Sequence, residues 1–189
     1  MNPNLLIPTT LFGIAVFAAI VIHNGIKSRS NAVRRAWSDV LAYERQKQQV
    51  LNKLEQAVAS YKDFESSLLI GITRLRATLG SLNNEPDTVA LAEVERTSTE
   101  VLRNLRVAVE AYPDLKAAAA VRDFIAQLTS LQREVTAALA IFNRNVELFN
   151  TGLEVIPNSL VNATITRARR VAPFSDSSAS AAFEYQPEL

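Results

Sequence analysis

The chain has 189 residues, 48% of them apolar, with 20 basic and 19 acidic side chains. A single histidine excludes a multi-histidine metal centre, and the lack of cysteine excludes disulfides, thiolate zinc sites, iron–sulfur clusters and a cysteine nucleophile. The net charge of +1 offers nucleic acid no overall basic footprint.

The first element is the uncharged run Leu5–Ile22, in which 14 of 18 residues are apolar. A helix needs about 17–25 such residues to span a bilayer core, so the run predicts a transmembrane helix edged by Asn4 and His23. A cleaved signal peptide is the competing reading. Residues 1–4 carry no Lys or Arg and no clear Ala-x-Ala site follows, which favours an uncleaved anchor. Pro8 falls near the first turn, where a missing amide N–H costs little. Lys27, Arg29, Arg34 and Arg35 follow the run and nothing basic but the terminal amine precedes it. The positive-inside rule then expects the N-terminus outside and the rest of the chain in the cytoplasm. The same cations suit anionic headgroups, at about 1 kcal/mol each near the surface.

Between Pro8 and Pro86 there is no proline, and Gly71 is the only glycine from Ile26 to Leu79. That permits one very long helix. Steps of four and three from Val33 reach Trp37, Val40, Glu44, Lys47, Leu51, Leu54, Val58, Tyr61, Glu65, Leu68, Ile72, Leu75 and Leu79, a heptad seam with ten apolar positions in thirteen. Such a rod would be about 70 Å long. Gly80 is the expected stop, residues 80–87 (GSLNNEPD) the expected loop, and Asp87 or Asn84 the cap of a second helix over Thr88–Ala111, with a seam of Leu91, Val94, Leu102, Leu105 and Val109. A third helix is expected to begin at Pro113 and Asp114 and to run through Val121, Phe124, Leu128, Leu131, Val135, Leu139, Phe142, Val146 and Phe149 to about Asn150, ended by Gly152. A short fourth spans Ser159–Arg170. The tail, Pro173–Leu189, has no Lys or Arg and reads as mobile. No alternating strand pattern occurs. The expected fold is all-α: a transmembrane helix (5–22) continuing into a long-helix up-and-down bundle (24–172), with three long helices and a short fourth. Residues 1–4 form an exterior N-terminus and 173–189 the tail.

The expected second helix is half as long as the rod. It leaves an apolar stripe of Val33, Trp37, Val40, Leu51 and Leu54 with no evident cover. Bare stripes attract cover, so one expectation is that copies of this half pack side by side above the membrane. The alternative is a kink near Ser60–Glu65, or a return of the fourth helix, covering the stripe internally.

Several segments in order resemble the LemA family of bacterial membrane-anchored proteins. They are Ala36-Trp37-Ser38, the block at 110–117 (EAYPDLKA), the stretch at 142–151 (FNRNVELFNT), and Ile156-Pro157. The family's Arg-x-x-Leu-Ile-Pro-x-Leu stretch is replaced here by residues 45–51 without its proline, and its Tyr-Asn pairs by Phe142-Asn143 and Phe149-Asn150. The resemblance implies an outward N-terminus and a helical bundle on a bacterial cytoplasmic or derived intracellular membrane; it does not imply an enzymatic activity.

The remaining residues of note have structural and functional readings. Tyr112, Pro113 and Asp114 make a tight corner between helices, or a partner-docking corner. Asn143 and Asn150, seven apart, share a helix face and either set register or recognise a peptide or headgroup. Glu44 and Lys47 interrupt the seam and can pair at i,i+3. His23 sits at the membrane edge without a serine–aspartate arrangement, and Arg167, Arg169 and Arg170 form a second basic spot. No catalytic set, metal site or cofactor is expected. Two function classes follow: a scaffold that self-associates through its first helix to organise or shape the membrane, or an adaptor docking another membrane protein such as a protease. The expected partners are the lipid bilayer, a second copy and another membrane protein.

Overall fold

The structure, a computed structural model, describes residues 3–59, 66–111 and 117–175. Helix α1 spans Pro3–Ala59, 57 residues and about 85 Å in one piece. Its length follows from composition, since neither Gly nor Pro occurs between Ile26 and Ala59. Then come α2 (Ser66–Gly80), α3 (Thr88–Ala111), α4 (Ala117–Glu154) and a single turn, α5 (Asn158–Val161). A π-helical turn over Asn162–Thr166 continues α5. No strand occurs among the described residues.

Side-chain pairs fix the directions. Glu55 on α1 meets Arg76 on α2, while the indole N–H of Trp37 donates to the carbonyl of Asn83, just past α2, at 3.0 Å. Chain numbers rise on one helix as they fall on the other, so α2 is antiparallel to α1. Helix α3 turns again beside α2, with Arg74 3.0 Å from Glu93, and the Asp87 carboxylate caps it by accepting the Ala90 N–H at 2.9 Å. Helix α4 returns along α1 and stacks Phe142 against Trp37, ring centroids 5.4 Å apart. The result is an up-down-up-down bundle in which α1 and α4 run past the shorter pair.

The core has two tiers. Nearest the apolar N-terminal run, Ile26, Val33, Trp37 and Val40 of α1 pack on Leu139, Phe142, Val146 and Phe149 of α4. Farther out, Leu51 and Leu54 join Ile72, Leu75, Val94, Leu105 and Leu128 from the other three helices. The heptad seam is therefore the buried edge of α1, including its two charged positions, Glu44 and Lys47.

Five expectations change. The rod is not continuous: its outer part is α2, folded back, while Tyr61 and Glu65 lie outside the described residues. The stripe Val33, Trp37, Val40, Leu51 and Leu54 is fully buried within its own chain, so it is no self-association surface. The cover comes from α2 over the outer end and from α4, whose 38 residues reach the inner end. Gly152 does not stop α4. It is buried in the last turn because the Arg29 side chain lies against it, where a Cβ would collide. The fourth helix shrinks to one turn plus a π turn, ended by Arg167 in the left-handed conformation (φ 51°). Pro173–Ser175, assigned to a mobile tail, belong to an extended segment whose Phe174 packs on the inner core.

Two outcomes test this packing. Cysteines engineered at Leu51 or Leu54 should give no intermolecular disulfide in intact membranes, because both are enclosed by α2, α3 and α4. Trp37→Ala should lower stability by about 3–5 kcal/mol, the usual cost of emptying a buried aromatic site, measured by thermal or denaturant unfolding.

Candidate functional site

Besides the exposed Arg74–Glu93–Arg96–Glu100 network on α2 and α3, charged and polar side chains gather at the inner end of α1, in a ladder of asparagines on α4 and the π turn, and in an ionic cluster between the core tiers.

At the inner end, α1 changes character within a few residues. Ile7, Leu11, Phe12, Ile14 and Phe17 are exposed all round, whereas Ile22 packs on the core and Ile26 is buried in it. Lys27, Arg29, Arg34 and Arg35 are exposed just beyond that point. Arg29 reaches across to the Leu148 carbonyl at 3.4 Å, and Arg34 lies 3.8 Å from Glu85. His23 Nδ1 shares a 3.0 Å hydrogen bond with the hydroxyl of Thr166 in the π turn. His23 thus ties α1, just past its apolar run, to the π turn.

The ladder accounts for Asn143 and Asn150. Each amide hydrogen-bonds both main-chain groups of one residue in the extended segment after Arg167. Asn150 donates to the Val171 carbonyl at 2.8 Å and accepts its N–H at 3.0 Å. Asn143 does the same with Phe174, at 2.8 Å each way. Asn162 clamps Ala168 likewise, at 3.1 and 2.8 Å. The spacing is a geometric match. Seven residues of helix rise about 10.5 Å, and three residues of extended or polyproline-like chain span about 9–10 Å. One helix face can therefore hold every third residue of a strap laid along it, and the side chains of those residues, Ala168, Val171 and Phe174, turn onto the inner core. Phe142 and Phe149, one position before each asparagine, face α1 and are buried. These asparagines bond the main chain of their own strap rather than side chains across helices. No expectation from the sequence covered the strap.

The ionic cluster sits where the four helices first come together. Lys47 Nζ lies 3.1 Å from Glu44 and 2.9 Å from Glu95 of α3, and the Gln132 amide of α4 donates to the second Glu95 oxygen. Glu44 Oε2 finds no hydrogen-bond partner among the described residues. Beside Lys47, Ser98 and Gln132 is a cavity of about 10 Å³, room for about one water molecule. Desolvation pushes the Glu44 carboxyl up from 4.5 to about 8; Glu95 adds to the rise, and Lys47 opposes it. The i,i+3 pairing of Glu44 and Lys47 is present, but inside the bundle rather than on a surface. Arg169 stands exposed and Arg170 pairs with Glu154. Tyr112, Pro113 and Asp114 lie outside the described residues.

An exposed apolar helix running unbroken into an antiparallel four-helix bundle defines an all-α protein with one candidate membrane-spanning helix near its N-terminus. The LemA family model matches residues 36–184, and the chain belongs to that family. Protein LemA of Metamycoplasma hominis is 27% identical over 139 residues, a match that covers 74% of this chain and 63% of that protein. The chain thus spans less than two thirds of that relative's length.

The ladder and the cluster each generate a test. Asn150→Ala strips Val171 of both main-chain partners. It should destabilise the chain by about 1–3 kcal/mol and speed amide exchange at Val171 and Phe174 ahead of the α1 and α4 cores. Asn150→Asp should fare no better, because a carboxylate oxygen would then face the Val171 carbonyl. For Glu44 the folded chain keeps a proton that the unfolded chain loses above pH 4.5. The resulting stability is complete below pH 4.5 and drains away as pH climbs to about 8, with a limiting slope of about 1.4 kcal/mol per pH unit. Glu44→Gln removes the slope. The melting temperature of the parent should fall relative to the variant between pH 5 and 8; parallel curves would refute the assignment.

Proposed function

We propose that this LemA-family chain is a non-enzymatic, single-pass membrane adaptor, held by residues 5–22 in a bacterial cytoplasmic membrane or one derived from it. Its N-terminus lies outside and its bundle in the cytoplasm, where the bundle engages another membrane protein. The observation that carries this reading is the continuity of α1, whose exposed apolar turns at Ile7–Val21 pass without a break into the buried seam at Ile26–Leu54. An anchor sharing one helix with the core holds the bundle at a set height and angle. A tether would not. The basic flank at Lys27, Arg29, Arg34 and Arg35 supports the orientation. The adaptor reading is preferred over the self-associating scaffold because the stripe that would have joined copies is occupied by α2 and α4. Ile141 and Leu148, exposed and seven apart on α4, offer a smaller face on which a partner or a second copy could dock. The ionic groups with the most perturbed surroundings are enclosed beside space for a single water, which supports a structural rather than a catalytic role for Glu44, Lys47 and Glu95.

Two measurements test the proposal. The chain has no cysteine, so a lone Val107→Cys in α3 reports topology. A membrane-impermeant maleimide should label it in inverted vesicles and leave it unlabelled in intact cells; the reverse pattern refutes the orientation. Detergent-extracted full-length protein should have the mass of a monomer or small oligomer and co-purify with one membrane protein. A large homogeneous particle of this chain alone would restore the scaffold.

A further inference from the structure

Residues 155–166 close the inner end of the bundle as a knuckle formed by the last residues before α5, α5 itself and the π turn. They leave apolar side chains bare: Ile156 is 80% exposed, Leu160 64% and Ile165 55%, with Val155 beside them. A single exposed leucine signifies nothing. Four apolar residues within twelve, at one end of the molecule, form a patch. Its height is fixed. Thr166 is hydrogen-bonded to His23, the residue that ends the apolar run, and Ile22, the last residue of that run, packs on the inner core. The knuckle therefore stands level with the point where α1 leaves its uncharged stretch. Cations surround it. Over residues 19–31 and 150–172 the sequence holds Lys27, Arg29, Arg167, Arg169 and Arg170 against one acid, Glu154, which pairs with Arg170.

We propose that the knuckle is a second membrane contact, its apolar side chains Ile156, Leu160 and Ile165 seated in the headgroup layer of the bilayer that α1 spans. This rests on reading residues 5–22 as a span. An apolar tip rimmed by basic residues is the composition of an interfacial, non-spanning membrane contact, and each cation adds electrostatic attraction to anionic lipid. A bilayer around α1 already lies at this height, so lipid reaches the patch without any rearrangement. The strap adds a reason for its rigidity. The asparagine clamps on Val171 and Phe174 and the Arg29–Gly152 packing hold both ends of the knuckle on α1 and α4, so it cannot lift independently of the bundle. Two attachment points on one rigid body set the tilt of the bundle, which a single span leaves free.

The test uses full-length protein in vesicles of phosphatidylcholine with phosphatidylglycerol. An environment-sensitive fluorophore is placed on single cysteines at Leu160→Cys, Ile165→Cys, Phe12→Cys within the span and Val107→Cys in α3. Emission of Trp37, the chain's one tryptophan, checks that each variant is folded. Lipids carrying a shallow nitroxide should quench the labels at 160 and 165 at least about twofold more than the label at 107, as expected for side chains in the interface. Quenching at Phe12 with labels at 160 and 165 as open to aqueous iodide as that at 107 overturns the second contact and leaves the anchor intact. Labels at 160 and 165 shielded from iodide yet unquenched by lipid mean that a second copy or another protein covers the patch, which also overturns it. No quenching at Phe12 overturns the span and this inference together. Two knuckle positions are labelled so that misfolding of one variant leaves the other to decide.

Discussion

The antiparallel contact between α1 and α4 is the constraint on which the rest of this molecule depends. One helix carries two kinds of surface: from Ile7 to Val21 it exposes apolar side chains in every direction, and its later turns carry a single apolar edge. A single-edged helix of that length is stable only if something equally long lies against it. Helix α4, 38 residues or about 57 Å, is the element that reaches both the outer tier and the emergence of α1 at Ile26. The shorter α2 covers only the outer tier, and α3 adds a single buried residue, Leu91, to the inner one. The tilted Trp37–Phe142 pair sits near the middle of this contact, and the Trp37 N–H holds the α2–α3 loop at Asn83. That one side chain thus ties α1, α4 and the loop.

What was legible in the sequence was periodicity. Every position that the four–three stepping marks from Val33 to Leu54 is buried, charged ones included, although it leaves out the buried Ala36 and Leu41; the caps and breakers around residues 80–88 placed the start of α3. Periodicity states which edge of a helix is covered but not what covers it. Ile72, Leu75 and Leu79 continue the α1 seam in register, and nothing in a heptad count distinguishes a seam that runs on from one that folds back. The error about self-association came from that ambiguity, because α2, folded back on α1, supplies the partner from within the chain. The strap was illegible for a different reason. It has no helical or alternating period, and its hydrogen bonds go to side chains on α4, so no local signal predicts it. Gly152 misled for a third reason. It reads as a terminator but lies inside the last turn of α4, with the Arg29 side chain against it.

The buried cluster adds little to stability and much to specificity. Two carboxylates and one ammonium leave water at the level where four helices meet, and burial raises the Glu44 carboxyl to about 8. A cluster like this commonly contributes less to stability than hydrophobic residues of the same size would. Its geometry, however, admits one register only. Lys47 must lie opposite Glu95 and Gln132 opposite Glu95 again, which fixes α3 and α4 relative to α1 where apolar packing alone would allow a slide of one turn.

The asparagine ladder solves a problem that the unequal helices create. Helix α2 adds no side chain to the inner tier and α3 reaches it only with Leu91 in its first turn, so most of α1 and α4 there needs another neighbour to close the core. A strap of extended chain is thin enough to lie in the groove that remains, but it brings main-chain groups that must be satisfied. Asn143, Asn150 and Asn162 answer both main-chain groups of every third residue, so Ala168, Val171 and Phe174 can cover Phe142, Val146 and Phe149 without orphaned amides. The segment takes the place of the missing helices over the inner core. Because Arg167 reverses the chain in the left-handed conformation, the same segment brings Arg169 and Arg170 back beside the inner end of α1. Closing the core and gathering positive charge at the end nearest the apolar run are thus two consequences of one folded segment, secured by three side-chain amides.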